Sequence, residues 1–140
     1  MGAENLKKVS QLAVLNAVYI KEKLKGTLQL AYNRPCMHEC VFSDALQVED
    51  KITTLDIAKR LIDHGYHPPT IYFPLVVHGA IMIEPTETEC KDDIDQFIET
   101  VKLVVQEGKE NPELLRQAPV MAKRRRLDET QAARKPCLCG

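Results

Sequence analysis

The sequence predicts an α+β protein: a two-layer sandwich in which helices cover a small, mostly antiparallel sheet. Three segments repeat apolar residues at the three- and four-residue spacing of amphipathic helices. Three short segments rich in β-branched and aromatic residues lie between turn-forming residues and are typical of strands. Along the chain the order is helix, strand, strand, helix, strand, helix, and then a polar tail.

The first helix is predicted over "ENLKKVSQLAVLNAVYIKEKLKG", residues 4–26, which begins without a clear N-cap and ends at a glycine. The second covers "TTLDIAKRLIDHG", residues 53–65. There Thr53 and Asp56 have the spacing of a capping box, and Gly65 supplies the stop. The third covers "CKDDIDQFIETVKLVVQEG", with Gly108 as its end, and "NPELLRQA" adds a short helix capped by Asn111.

Two strands are predicted in "TLQLAY" and "HECVFS", on either side of the turn "NRPC". The apolar run Leu75–Ile83 predicts buried β-structure, with "GAIMIEP" as the best strand. Four prolines interrupt or bound this region, and each lacks the amide hydrogen that a sheet ladder needs; they are Pro68, Pro69, Pro74 and Pro85. We expect one domain over residues 1–118 and an extended C-terminal arm over 119–140, because the arm shows no apolar period.

Composition excludes several classes of protein. The 140 residues carry a formal net charge of −1, which argues against a general affinity for nucleic acid or an anionic membrane. No apolar run approaches the roughly 20 residues that span a bilayer, and the charged N-terminus does not read as a secretory signal. The five cysteines are an odd number without a signal peptide, so reduced thiols in a cytoplasmic protein are expected.

The segment "CMHEC" suggests a metal site, because Cys36, His38 and Cys40 would share one face of a strand. A structural zinc site needs four ligands, and this spacing matches no standard finger. Core and surface thiols are therefore the favoured interpretation, and no metal ligand is assigned. A metal-binding Cys/His module stays open as an alternative, which metal analysis of the purified protein would decide.

The basic run "KRRR", residues 123–126, could bind nucleic acid. A nucleic-acid-binding face usually carries several basic and aromatic residues together, which a single run does not. We favour a solvated arm, or an arm that pairs with acidic groups of its own protein.

Three glutamates near His67 could indicate acid–base chemistry: Glu84, Glu87 and Glu89. The competing interpretation is that Thr86 and Thr88 cap the third helix and that the glutamates complement its dipole. We favour the second interpretation for Glu87 and Glu89. Glu84 stands at the end of a predicted buried strand and is kept as a candidate.

The stretch "HPPTIYFPLVVHGAIMIEPTETE" resembles the C-terminal domain of the glycine dehydrogenase (decarboxylating) family, the P-proteins of the glycine cleavage system. The likeness is to the second, cofactor-bearing subunit of the two-subunit form. It extends over "MGAENLKKVSQLAVLNA", "RPCMHECVFS", "TTLDIAKRLIDHGYHPPTIYFPLVV", "NPELL" and "RRLDETQAARKP". The chain departs from the family at "VMAKRRR", which lacks a "TPVRR"-like approach, and at the final "CLCG".

The resemblance implies the small domain of an aspartate-aminotransferase-like enzyme that uses pyridoxal phosphate (PLP). The whole enzyme would decarboxylate glycine on PLP and pass the aminomethyl group to the lipoyl arm of H-protein. The sequence contains no histidine-lysine motif of the kind that forms the Schiff base, so we expect the large PLP-binding domain to be absent. We accordingly expect no catalytic residue, no bound cofactor and no activity in this chain alone.

The resemblance also implies that the proline-stiffened loop faces the active-site cleft, which makes His67, Thr70, Tyr72 and Glu84 candidates for its rim. Expected partners are the first P-protein subunit and H-protein. The apolar residues of the first helix further suggest a homodimer. The alternative function is a stand-alone interaction or regulatory module without catalysis.

Overall fold

A computed structural model describes residues 2–47 and 49–137. The helices are α1 Ala3–Leu24, α2 Thr54–Asp63, α3 Lys91–Glu110, α4 Pro112–Gln117 and α5 Glu129–Arg134, with a 3₁₀ turn at Ala45–Gln47. The strands are β1 Gln29–Leu30, β2 Cys40–Ser43, β3 Thr70–Ile71 and β4 Ala80–Ile83. They form one antiparallel sheet in the order β1-β2-β4-β3, so the predicted α+β class is confirmed.

The core lies between one face of the sheet and the helices. Cys40 pairs with Ile83 and Phe42 with Ile81, which places all four side chains on the same buried face. The apolar stripes of the helices pack in the same cluster; their members include Ile20, Leu24, Ile57, Leu61, Ile98 and Val101. Val41 and Met82, on the opposite face, stay partly exposed, as a two-layer arrangement requires.

The two predicted N-terminal strands exist, but each is shorter than its sequence segment. The third helix continues past Gly108 to Glu110, so the predicted stop at this glycine is wrong. Gly108 is buried in the helix, and a β-carbon there would collide with Ile52 and press on Leu115. The glycine therefore serves close packing of α3 against its neighbours. The chain turns instead at Asn111, just before Pro112 begins α4.

The predicted buried strand over Leu75–Ile83 is wrong in its first half. Leu75 and Val76 are 79% and 82% exposed, and β4 begins only at Ala80. Gly79 precedes it with a left-handed φ of 58°, and a β-carbon there would overlap the Asp44 carboxylate. The turn before β4 is thus set by backbone geometry, which apolar composition alone does not reveal.

The C-terminal arm differs from the extended segment that was expected. Residues Glu129–Arg134 form α5, which Asp128 caps by accepting a hydrogen bond from the Gln131 amide. Upstream, the Arg126 guanidinium donates to the Asp56 carboxylate at 2.6 Å and to the carbonyls of Leu115 and Ala118. The arm therefore pairs with an acidic group of its own protein, as one interpretation of the basic run proposed.

Helix α1 has the predicted bounds within a few residues, and its N-cap Gly2 makes no side-chain cap. Its buried residues all lie in the second half, from Ala17 to Leu24. In the first half, Leu6, Leu12 and Leu15 are 61%, 45% and 61% exposed. Within the described residues, none of the helices is both long and apolar enough to cross a membrane.

The predicted capping box of α2 is present in full. The Asp56 amide donates to Thr53 Oγ1, and the Asp56 carboxylate accepts from the Thr53 amide at 2.9 Å. Asp56 is 4% exposed. Burial pushes the pKa of Asp56 upward, but the hydrogen bonds from Thr53 and Arg126 outweigh it, and the pKa lies below its ordinary value.

We expect Thr53→Ala to lower the free energy of unfolding by about 1 kcal/mol through the lost cap. Asp56→Ala should cost about 2–3 kcal/mol, because it also leaves Arg126 without its carboxylate. Urea melts at neutral pH measure both values. Asp92→Ala, in the exposed first turn of α3, is the matched control and should cost less than about 1 kcal/mol. Equal losses for Asp56→Ala and Thr53→Ala would contradict the role of Arg126.

The depressed pKa of Asp56 also sets a pH dependence. The stabilisation is fully present above the ordinary value of 3.8 and disappears as pH falls through the lower pKa of the folded state. Acid melts should therefore show a steeper loss of stability below pH 4 in the parent chain than in Asp56→Asn. Identical acid profiles would show that this carboxylate is not coupled to folding.

Candidate functional site

An open pocket of about 580 Å³ lies where four segments of the chain meet. Its apolar floor includes Ile20 of α1, Ile83 of β4 and Ile94 of α3, which are 2%, 6% and 4% exposed. The loop 65–70 and the segment that follows β4 form its walls, together with the start of α3. Secondary structure thus supplies the apolar floor, while the loops and the start of α3 supply the polar groups around it.

The loop 65–70 leaves α2 by a defined route. Gly65 has a φ of 84°, its amide donates to the Ile62 carbonyl, and the Tyr66 amide donates to the Leu61 carbonyl. The Tyr66 ring then packs edge-on against Phe97 of α3, with 5.3 Å between the ring centroids. Two prolines follow and limit the conformations open to the rest of the loop. The segment carrying His67 is therefore held at both ends.

The segment after β4 is held from α1. The Asn16 side-chain amide donates to the carbonyls of Thr86 at 3.0 Å and Glu89 at 3.4 Å. Thr86 and Thr88 share a hydrogen bond of 2.6 Å between their hydroxyls, and Cys90 occupies the N-cap position of α3. The prediction that the two threonines cap α3 is therefore wrong, because their hydroxyls serve the turn before the helix.

The structure brings together three of the four residues proposed for the cleft rim. His67, Thr70 and Glu84 all line the pocket. Tyr72 does not: its φ of 65° ends the extended run that begins at Thr70, and the charged groups that influence it include Asp56 and Arg126. Burial raises the pKa of Tyr72. Tyr72 thus lies near the C-terminal arm and is not among the residues that line the pocket.

Glu84 has a neighbour that the pattern of the sequence did not connect with it. His38 Nε2 lies 3.4 Å from the Glu84 carboxylate. The antiparallel pairing of Cys40 with Ile83 brings these two chain segments side by side. A correct pairing of β2 with β4 would therefore have placed His38 near Glu84. Also missed were Asp93 and Phe97, which enter the pocket from α3.

The "CMHEC" segment does not form one strand face. Only Cys40 lies in β2, where its buried thiol approaches the Ile83 carbonyl at 3.7 Å, and burial raises its pKa to about 12. Across residues 2–47 and 49–137, no cluster of three or more histidine, cysteine or acidic side chains is placed to hold a metal ion.

A family model described as glycine dehydrogenase, C-terminal domain, matches residues 9–121, which include the pocket, helices α2 to α4 and α1 from residue 9 onward. This chain belongs to the glycine dehydrogenase C-terminal domain family.

Curated relatives of this glycine dehydrogenase domain extend the match. The chain is 57% identical over 138 residues to the probable glycine dehydrogenase (decarboxylating) subunit 2 of Caldanaerobacter subterraneus subsp. tengcongensis. It is 53% identical to the corresponding protein of Oceanobacillus iheyensis and 51% identical to that of Listeria innocua. In each case the match covers 99% of this chain but 28% of the relative, so the chain spans little more than a quarter of their length.

The pocket of the glycine dehydrogenase domain does not fit PLP. Three carboxylates line it, from Glu84, Glu89 and Asp93, and no lysine or arginine of the described residues does. A phosphate group would meet repulsion there. Lys21, the one buried lysine among the described residues, donates to the Arg34 carbonyl at 3.2 Å and pairs with Glu22, outside the pocket. No step of a reaction on PLP is therefore assigned to these residues.

The two hydrogen bonds from Asn16 should hold the segment after β4, which forms one wall of the pocket. In Asn16→Ala, amide hydrogen exchange should accelerate at Thr88 and Glu89 by roughly fivefold, because a lost bond of about 1 kcal/mol shifts the local opening equilibrium by about that factor. Global stability should change by less than about 1 kcal/mol. Asn5→Ala, on the exposed first turn of α1, is the control. Unchanged exchange in Asn16→Ala would show that α1 does not hold this wall.

Proposed function

We propose that this domain serves as the C-terminal domain of subunit 2 of a decarboxylating glycine dehydrogenase, the P-protein of the glycine cleavage system. The observation that carries the proposal is the match of 57% identity across 99% of the chain to a subunit 2 protein. In the whole enzyme, glycine would lose CO₂ with the help of PLP held elsewhere in the subunit. The aminomethyl group would then pass to the lipoyl arm of H-protein.

Within that assembly, the role proposed for this domain is to form one side of the active-site entrance. His67, Thr70 and Glu84 offer an imidazole, a hydroxyl and a carboxylate around an apolar floor. These groups can orient a polar arm while the floor excludes water from its stem. The first P-protein subunit is the proposed partner in the assembly, and the bacterial cytoplasm is the proposed location.

An exchange of domains tests the proposal directly. The matching C-terminal segment of the Caldanaerobacter subterraneus subunit 2 would be replaced by this sequence and assembled with that organism's subunit 1 and H-protein. Exchange of labelled CO₂ into glycine should stay within about tenfold of the parent enzyme. An assembled, PLP-loaded chimera without activity would contradict the proposed function.

Single substitutions in the active chimera test the proposed rim. His67→Ala and Glu84→Gln should each lower kcat/KM by roughly tenfold or more, because each removes a polar contact at the entrance. Tyr72→Phe is the matched control, since Tyr72 is not among the residues that line the pocket, and it should change kcat/KM by less than about threefold. A larger effect of Tyr72→Phe than of either pocket variant would overturn this assignment.

The chain on its own should neither bind PLP covalently nor decarboxylate glycine, since the pocket carboxylates disfavour the phosphate. After incubation with PLP, borohydride reduction and peptide mapping should show only sparse labelling spread over the exposed lysines. Lys109→Arg, at an exposed site on α3, serves as a background control. One lysine labelled stoichiometrically, together with CO₂ release from glycine, would contradict the prediction.

One observation favours a second function as an interaction module, whether or not the domain is part of an active enzyme. The exposed leucines of α1 continue, toward the N-terminus, the same helix whose second half is buried in the core. An apolar helix face of this kind tends to be covered by a partner. We propose that the isolated chain forms a symmetric homodimer that covers part of this face. Ile20, in the second half of the same helix, belongs instead to the core, at 2% exposure.

Replacement of Leu15 and Val18 by serine should raise the dimer dissociation constant by about tenfold or more, since each loses apolar burial. The free energy of unfolding of the monomer should change little in comparison, because Leu15 is 61% exposed and contributes little to the core. Sedimentation velocity across micromolar concentrations measures the association. Leu103→Ser, at an exposed site on α3, is the control. A parent chain that sediments as a monomer at every concentration would refute the dimer.

A further inference from the structure

The charge of the pocket restricts what it can bind. Glu84, Glu89 and Asp93 contribute three carboxylates, and His67 is the one lining side chain of the described residues that can become a cation. The start of α3 adds the equivalent of about half a positive charge, which three carboxylates outweigh. The potential in the pocket is therefore negative, and it repels anions and attracts cations.

The three carboxylates are not neutralised by lysine or arginine within the described residues. Glu84 lies 3.4 Å from His38, Glu89 accepts from the Thr88 hydroxyl at 3.4 Å, and Asp93 accepts from the Cys90 thiol at 2.9 Å. Lys91, the basic residue nearest to them in sequence, pairs instead with Asp95 and lies 5.5 Å from the Tyr19 ring. Acceptor capacity consequently remains on all three carboxylates.

The floor of the same pocket is apolar and aromatic. Ile20, Ile83 and Ile94 are almost fully buried beneath it, and the Tyr66 and Phe97 rings stack edge-on at its side. A metal ion gains no ligand from such a floor, because the isoleucine side chains have no oxygen, nitrogen or sulfur atom to coordinate it. A ligand with a hydrocarbon stem and a cationic head satisfies both parts, because the stem covers the floor and ring faces attract cations.

We propose that this pocket binds a primary alkylammonium group: the stem lies over the isoleucine and aromatic floor, and the –NH₃⁺ head donates to the carboxylates of Glu84, Glu89 and Asp93. The ligand could be a free amine or an amine on an arm carried by a partner protein. If the proposed function holds, the aminomethyl group on the lipoyl arm is such an amine. That link rests on the proposed function, whereas binding of an alkylammonium does not.

Three probes of six carbons each separate charge from apolar contact: n-hexylamine, 1-hexanol and hexanoate. The full 140-residue chain would be titrated with each at neutral pH and low salt, and amide chemical shifts would be followed by NMR. The amine should give saturable shifts confined to residues 65–70 and 82–97. Hexanol should bind at least about tenfold more weakly and hexanoate not measurably. Equal binding of amine and hexanol, or no binding of the amine, would overturn the proposal.

Neutral isosteres keep the shape of the pocket and remove its charge. Glu89→Gln and Asp93→Asn should each weaken hexylamine binding by about threefold to tenfold, and the double variant by more. Glu99→Gln, on the exposed side of α3, is the matched control and should bind as the parent chain does. Parent-like amide spectra outside the pocket establish that each variant is folded. Unchanged affinity in the double variant would show that the carboxylates do not hold the amine.

The source of the amine is decided by competition in the chimera described above. Aminomethylated H-protein should displace hexylamine from the chimera. Asp93→Asn should weaken the binding of aminomethylated H-protein more than the binding of oxidised H-protein. Displacement by both forms equally would refute the aminomethyl arm as ligand and leave a free amine. A chimera that binds hexylamine but has no activity on glycine would count against the proposed function alone. Failure of the proposed function is therefore distinguishable from failure of amine binding.

Discussion

The carboxylate of Asp56 is the point on which much of this structure depends. It accepts from the Thr53 amide and hydroxyl and so closes the first turn of α2. It also pairs with Arg126, whose remaining donors bind the last carbonyls around α4. One buried group therefore joins the start of one helix, the end of another and the C-terminal arm. The neighbouring Thr54 extends the connection to the sheet, because it donates to the Gly79 carbonyl and to Asp44.

The far end of α2 is fastened in a similar way. The Asp63 carboxylate accepts from the amides of Val120 and Met121 at 2.7–3.0 Å and pairs with Arg60, which in turn forms two hydrogen bonds with Glu107 of α3. With both ends tied to the arm, α2 cannot slide along its axis without breaking charged hydrogen bonds. Since the loop 65–70 continues directly from α2, these bonds also determine where His67 stands. The arm thereby supports the pocket without entering it.

The parts of the fold that follow from periodicity could be predicted from the sequence: the amphipathic faces of α2 and α3, the Thr53–Asp56 box and the β2 and β4 strands. Two of the errors share one cause. Gly108 resembles a helix end but is required for contact with Ile52, and Leu75 and Val76 resemble a strand although they are exposed. In each case the residue type was interpreted locally, while a tertiary contact or a backbone turn decided the outcome. Helix α5 was missed because its six residues bury no apolar face.

The pocket illustrates the same limit at the level of function. Composition gives a nearly neutral chain, yet the fold gathers Glu84, Glu89 and Asp93 around one apolar floor and leaves Lys123, Arg124 and Arg125 exposed on the arm. This separation of charge is a property of the three-dimensional structure. It makes this surface one that favours a cation over an anion such as a phosphate, which needs a cationic cradle.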